Sequence, residues 1–399
     1  MVRIAWWTIG IVLSALVGLA TSVLAGEPVG AVLEKEARQD DAAGAQKTES
    51  PEWHYGGFVD LGYSLDFNFP ENHLFRNRTT TPRVNELDLN MGGVYIRKEA
   101  TEQSRLGLEL AGQGGQDAKA FGFHVNQPKV GSSDQLRHFG RGNVSYLAPI
   151  GKGLTIQGGL FTSLVGYESL YAKDNFNYTR AWIADYSPYL MFGANASYPL
   201  TEQLTGTLFI INGYFHLSHR NNAPSYGAQL AYRVTPRLTV KETVFSGPEQ
   251  ADTSVQFWRV FNDTIIEWKE GKLALAFEYQ AGTEELAATG QPRVFWMGGA
   301  LYTRWQIQGP WSVAIRPELF WDPNGRITGS EQFVRAVTTT AEYRLPYERS
   351  NTIVRLEYRY DESTGSGGGF FRGGENRLTP VQNLLLFSII WTFDSPLSP

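Results

Sequence analysis

The sequence predicts an all-β fold, a transmembrane antiparallel β-barrel of about sixteen strands. Three observations carry this: a period-2 alternation of apolar and polar residues that recurs from Trp53 onward, connections that alternate short and long, and an export signal at the N-terminus.

The alternation comes first because it sets the strands. Val59, Leu61, Tyr63, Leu65 and Phe67 fall on one side of the first segment, with Asp60, Gly62, Ser64, Asp66 and Asn68 on the other. Successive Cβ atoms point to opposite faces of a strand, so one face is apolar and the other polar. Leu87, Leu89 and Met91 against Glu86, Asp88 and Asn90 continue the pattern, as do Leu273, Leu275, Phe277 and Tyr279 against Ala274, Ala276, Glu278 and Gln280. Val354, Leu356, Tyr358 and Tyr360 oppose Arg355, Glu357, Arg359 and Asp361. Sixteen such segments are expected at 54–68, 84–96, 104–112, 135–148, 154–166, 187–198, 204–213, 225–234, 238–246, 257–268, 272–280, 293–307, 311–322, 333–345, 352–361 and 381–393. The ninth is ambiguous in phase, because Lys241 and Glu242 are adjacent.

The connections sort by length. Turns such as Pro149–Gly153, Pro199–Gln203, Thr235–Arg237 and Lys269–Gly271 are short, whereas the connections after odd-numbered strands are long and Gly-rich, as at Gln113-Gly114-Gly115 and Ser366-Gly367-Gly368-Gly369. Outer-membrane barrels have short periplasmic turns and long extracellular loops. A soluble β-sandwich is the competing fold, and it has no reason to sort its loops this way.

The N-terminus carries Arg3, an apolar stretch from Ile4 to Leu24, and small residues before a cut after Ala25. Residues 1–25 therefore read as a signal peptide, with an uncleaved anchor as the alternative. Residues 26–52 read as a periplasmic tail or linker, 53–393 as the barrel and 394–399 as a C-terminal tail. No later apolar run approaches the length of the first, so a membrane protein of this sequence must close its sheet to satisfy every backbone group. Phe387, Ile389, Trp391 and Phe393 give the last strand the aromatic ending that barrel-insertion machinery reads, although Asp394–Pro399 follow it, so the match is imperfect. Trp53, Tyr55, Tyr146, Tyr198, Tyr232, Trp268, Trp305, Trp311, Tyr343 and Trp391 lie near the turn ends, where an interfacial girdle would sit.

Composition narrows the chemistry. There is no cysteine, which excludes disulfides, thiolate metal sites and a cysteine nucleophile, and the formal net charge of −5 gives no footprint for nucleic acid. His216 and His219 are three apart but lack further ligands, and Asp322, Asn324, Gly325 and Glu331 read better as a polar turn than as a calcium loop. No catalytic motif stands out, and no cofactor or metal is expected.

Several motifs resemble, in order, those of the OmpL-like family of β-barrel porins. They are Gly159-Leu160-Phe161-Thr162-Ser163-Leu164-Val165-Gly166-Tyr167-Glu168, Asn177-Tyr178-Thr179-Arg180 with Thr where the family has Ser, Asn212-Gly213, Gly247-Pro248-Glu249, and Arg316-x-Glu318 followed by Asp322 and Gly325. The resemblance spans about 55–393 and implies an outer-membrane porin without naming a solute.

The inward face then becomes the expected working surface. Asp60, Asp66, Glu86, Asp88, Arg105 and Glu109 line one wall, and Arg304, Arg316, Glu318, Arg355, Glu357 and Arg359 the other. Such charges either select solutes by their field or pair with one another and stiffen the wall. The connection 167–186 is expected to fold inward as a constriction loop, bringing Glu168, Asp174 and Asp185, with Arg180, toward Arg316, Arg355 and Arg359; the alternative is an outward loop and a wider pore. The expected function is passive diffusion of small polar solutes through the outer membrane. A non-conducting barrel for adhesion or scaffolding and an outer-membrane hydrolase are the alternatives. Expected partners are outer-membrane lipids, the insertion machinery and small polar solutes, with a homo-trimer left open.

Overall fold

A computed structural model describes residues 53–120, 137–214, 223–250, 255–287, 293–347, 349–374 and 377–397. The signal and tail expected over 1–52, like His216 and His219, lie outside the described residues.

In chain order the strands are β1 (Trp53–Asp66), β2 (Leu87–Lys98), β3 (Leu106–Gly114), β4 (Phe139–Ala148), β5 (Leu154–Thr162), β6 (Leu190–Pro199), β7 (Leu204–Ile211), β8 (Ser225–Thr235) and β9 (Leu238–Pro248). They continue as β10 (Trp258–Glu270), β11 (Leu273–Glu284), β12 (Val294–Gln308), β13 (Trp311–Asp322), β14 (Gln332–Pro346), β15 (Ser350–Thr364), the short β16 (Phe370–Phe371) and β17 (Leu378–Thr379), and β18 (Val381–Leu397). Sixteen of them form one closed antiparallel barrel in which each strand pairs with its neighbours in sequence and β18 closes on β1; β16 and β17 form a separate two-stranded ribbon. Closure leaves no unpaired edge, which hydrocarbon would not tolerate. Among the described residues one α-helical turn, α1 (Trp182–Asp185), lies inside the connection after β5. No described helix is long and apolar enough to cross a membrane.

The alternation sets the two faces as the sequence requires. On β13, Trp311, Ile315, Pro317, Leu319 and Trp321 are exposed while Ser312, Ala314, Arg316, Glu318, Phe320 and Asp322 are buried. Pairing between β12 and β13 lapses around Pro317, which has no N–H to give. The ninth strand resolves its ambiguity: Thr243 is fully buried and bonds to a loop inside, so Lys241 shares its inward side and Glu242 turns outward to Asn262 and Thr264.

Three expectations need correction. Met91 does not share the outward face of Leu87 and Leu89; a bulge shifts the register of β2 against β1 beside Asp60, the phase flips, and Met91 is buried inside. β1 ends at Asp66 rather than 68, because the Asp66 carboxylate accepts the Asn68 N–H (2.8 Å) and turns the chain. The strand expected to stop at Phe393 runs to Leu397, so residues 394–397 are not a tail. They pair with Trp53–Gly56, and Asp394 accepts bonds from Tyr95 Oη (2.8 Å) and Arg97 Nη2 (3.1 Å), which gives the extension its register.

Candidate functional site: a segment across the lumen

The connection between β5 and β6, residues 163–189, does not leave the barrel. Val165, Glu168, Leu170, Tyr178, Arg180, Trp182 and Asp185 are all buried. Its path can be followed by the wall groups that hold it. Leu164 O accepts from Gln229 (2.7 Å) on β8 and Thr243 (2.9 Å) on β9. The Gly166 N–H donates to Asp263 (2.8 Å) on β10 and the Tyr167 N–H to Glu278 (3.2 Å) on β11. Tyr171 Oη reaches Gln113 (2.8 Å) on β3, and Tyr178 Oη reaches Asp60 (2.8 Å) on β1. The segment is thus bonded to wall strands around most of the circumference.

The strongest hold comes from β13 and β15. Arg316 Nη1 donates to Glu168 Oε1 (2.7 Å) and to Thr179 O (2.5 Å). Arg355 donates to Ala172 O and Asn175 O, each at 2.7 Å, and Arg359 Nη1 to Arg180 O (2.9 Å). Glu357 accepts the Tyr178 N–H (2.6 Å), the Thr179 N–H (2.9 Å) and the Thr340 hydroxyl (2.6 Å). Glu318 accepts the Trp182 N–H at the start of α1, and Asp361 accepts the Trp182 indole N–H (2.8 Å). Wall cations hold loop carbonyls, wall carboxylates hold loop N–H groups, and a segment with little regular structure has its backbone satisfied deep in the barrel. Glycine makes room for it. A Cβ on Gly62 would lie 2.5 Å from Tyr178 Oη, and one on Gly298 would lie 2.4 Å from Ile183 Cγ2.

The remaining predicted residues sort by height. Asp66 is inward at the outer end of β1, and Asp88 follows on β2 opposite the exposed Leu87 and Leu89. Glu86 precedes β2 and sits half-exposed beside Arg83 and His73. Toward the turns, Glu109 pairs with Arg141 (3.0 Å), Arg304 with Glu342 (2.9 Å), and Arg105 donates to Leu147 O (3.1 Å). The wall arginines also pair among neighbouring carboxylates: Arg359 with Glu318 (3.2 Å) and Asp361 (2.8 Å), Arg355 with Glu342 (2.7 Å).

The expected approach of loop acids to the arginine wall is corrected in part. Glu168 makes it. Asp174 instead pairs with the adjacent Lys173 (2.6 Å) and stays exposed, and Asp185 pairs with Arg78 (2.7 Å) from the connection after β1. Arg180 pairs with Asp117 (2.9 Å). Arg316, Arg355 and Arg359 had nearer partners in the loop backbone, which hold them where distant acids would have to compete. Burial raises the Glu168 carboxyl above the usual carboxylate range, against the pull of Arg316.

The model of the family described as "Putative beta-barrel porin-2, OmpL-like" matches residues 52–393. The chain belongs to that family. It is a porin of the bacterial outer membrane, with the fold of known outer-membrane channels. The channel DcaP of Acinetobacter baumannii is similar at TM-score 0.55 and 10% identity, over 88% of this chain and 100% of that one. An anion-selective porin from Comamonas acidovorans follows at TM-score 0.54 and 11% identity, over 86% and 100%. OmpT of Vibrio cholerae, an outer membrane protein in a trimer form, is similar at TM-score 0.53 and 10% identity, over 87% and 100%. No curated protein matches the chain.

Several residues of this porin's interior carried no sequence signal of their role. Glu278, Asp361 and Glu342 lie on the polar side of the alternation, so their inward direction was legible, but their partners were not. Arg78 and Asp117 sit in loops and reach the site only through tertiary contact. Among the described residues no group of three or more His, Asp and Glu stands together as a metal site. Asp322 accepts the N–H groups of Arg326 (2.9 Å), Ile327 (2.9 Å) and Thr328 (2.8 Å), so its carboxylate serves a polar turn.

Proposed function

We propose that this porin is a diffusion channel for small polar solutes and that segment 163–189 is its constriction. The observation that carries the reading is the anchoring of that segment to Arg316, Arg355, Arg359 and Glu357, which fixes it across the lumen at the level of the wall charges. Solutes passing it feel the field of buried guanidinium and carboxylate groups set side by side, without touching them, so the constriction favours small polar and zwitterionic solutes and discriminates weakly between ions. The paired charges support the stiffening role for most individual residues, with selection left to their collective field. Enzyme activity has no part in this reading, because the buried acids are engaged in holding backbone.

The reading extends to the rest of the chain. Residues 1–25 serve as the export signal and 26–52 as a periplasmic tail. A homo-trimer is the proposed assembly, by analogy with the trimer form of the Vibrio cholerae neighbour. Liposome swelling tests the function. Vesicles carrying the folded porin should admit small zwitterions and monosaccharides and exclude large oligosaccharides. Vesicles that admit none of them, with the barrel shown to be folded, would leave the adhesion or scaffold reading in its place.

A further inference from the structure

The connection between β1 and β2, residues 67–86, also lies within the barrel mouth, with Phe75, Arg78, Thr80, Thr81 and Val84 buried. Its backbone is left-handed at five residues other than glycine, four apart each time: Phe69 (φ 45°), His73 (54°), Asn77 (57°), Thr81 (47°) and Asn85 (58°). Asparagine visits that region readily. A bulky Phe or a β-branched Thr does so against steric strain. Such conformations persist only where the surroundings over-determine them, and they gather at clamps and switch regions.

Here one carboxylate supplies much of the constraint. Asp185, at the end of α1, pairs with Arg78 Nε (2.7 Å) and accepts from the Thr80 hydroxyl (2.5 Å), the Thr79 N–H (3.4 Å) and Tyr189 Oη (3.0 Å). Both side chains of the ion pair are wholly shielded from solvent. The Arg78 guanidinium also donates to Arg180 O (2.6 Å) and lies over the Phe75 and Trp182 rings, at 5.3 and 5.2 Å. The other fastenings of residues 76–81 go to loops as well. Arg76 donates to Gly367 O (2.9 Å) and Gly369 O (2.6 Å), Asn77 to the Ser330 hydroxyl (3.1 Å), and the Thr81 N–H to Asp117 (2.7 Å). Segment 163–189, in contrast, is tied to wall strands by charged groups on many sides. Within 67–86, residues 76–81 combine backbone strain with attachment to other loops, while the two ends stay bonded to β18 and β1 through Phe67, Asn68 and Asn85 and serve as hinges.

We infer that residues 67–86 form a strained cap over the constriction, latched by the Arg78–Asp185 pair, and that the channel opens when this latch releases and the cap swings outward. The inference rests on the channel reading above. Release relieves the left-handed backbone, uncovers Trp182 and Tyr186 from the outer side and frees α1, while residues 163–180 stay tied to the wall.

The absence of native cysteine makes a direct test clean. Asn77→Cys and Ser330→Cys are combined, bridged by a short bis-methanethiosulfonate reagent and recorded in a planar bilayer before and after dithiothreitol, with the bridge verified by mass. The bridged cap should hold the current several-fold below that of the same protein after cleavage. Arg78→Ala, without any bridge, should spend more time in the high-conductance state than wild type. A wild-type channel whose bridged and cleaved variants carry equal current overturns the cap and leaves the channel standing. A folded wild-type barrel that never conducts overturns both.

Discussion

Leu275 and Glu278 stand three residues apart on β11 and face different media. Leu275 points outward beside Trp268 and Thr303, while Glu278 is buried inside, where it accepts bonds from Tyr302 Oη (2.7 Å), Gln280 Nε2 (2.7 Å) and the Tyr167 N–H (3.2 Å). An Arg on the lipid face near the midplane costs about 2–4 kcal/mol in such barrels. Phe277→Arg, on the same outward side as Leu275 but further into the strand from the Trp268 girdle level, should therefore fold poorly into vesicles, whereas Glu278→Gln, which keeps the shape and most of the hydrogen bonding, should fold like wild type. Heat-modifiability on a gel measures this, and equal folding of the two variants would contradict the assigned faces. At this scale period-2 alternation was a sufficient guide wherever the strand was regular. It failed at Met91, because a bulge adds one residue to a strand without leaving a mark in the apolar pattern.

At the scale of the element, the inward segment depends on groups that behave as a set. Glu357 accepts two successive backbone N–H groups and the Thr179 hydroxyl, and a charged acceptor contributes about 1.5–3 kcal/mol per bond of this kind. Glu357→Gln should loosen residues 178–179 and show as increased open-channel noise in single-channel records; unchanged noise in a folded variant would mean that Arg316 and Arg359 suffice. Asp117 adds a pH response. Burial pushes its carboxyl up to about 6, with Arg180 and the Thr81 N–H pulling the other way and Asp185 and Asp88 adding to the rise. A carboxyl whose pKa is higher in the packed interior than in the open one takes up a proton on packing, so the packed interior gains as pH falls through 6 and loses as pH rises through it. Current should decrease between pH 7 and pH 5, and Asp117→Asn should flatten that profile. An unaltered profile in the variant would place the response elsewhere. The direction of segment 163–189 was only half legible in the sequence. Its length and its acids drew attention to it, but the groups that hold it are carbonyls and N–H groups, which every residue has. Asp174 and Asp185 illustrate the limit: identical in type to Glu168 for a sequence argument, they find Lys173 and Arg78 instead of the arginine wall.

For the whole molecule, loop sorting was the most transferable signal. Every long connection follows an odd-numbered strand of the barrel, and every short one an even-numbered strand. Epitope tags at Gly367 and Lys152 test the orientation this implies. Intact cells should label at Gly367 and not at Lys152. The last strand was read too short because Asp394 and Ser395 look like a polar tail until Trp53–Gly56 is available to pair with them. The central claim is that a channel runs through this barrel and that segment 163–189 narrows it. Single-channel conductance of wild type and of a variant lacking residues 170–180, both shown to be folded, tests it most directly. Discrete steps in wild type and larger steps in the deletion are predicted; steps of equal size, or none in either protein, would contradict the account.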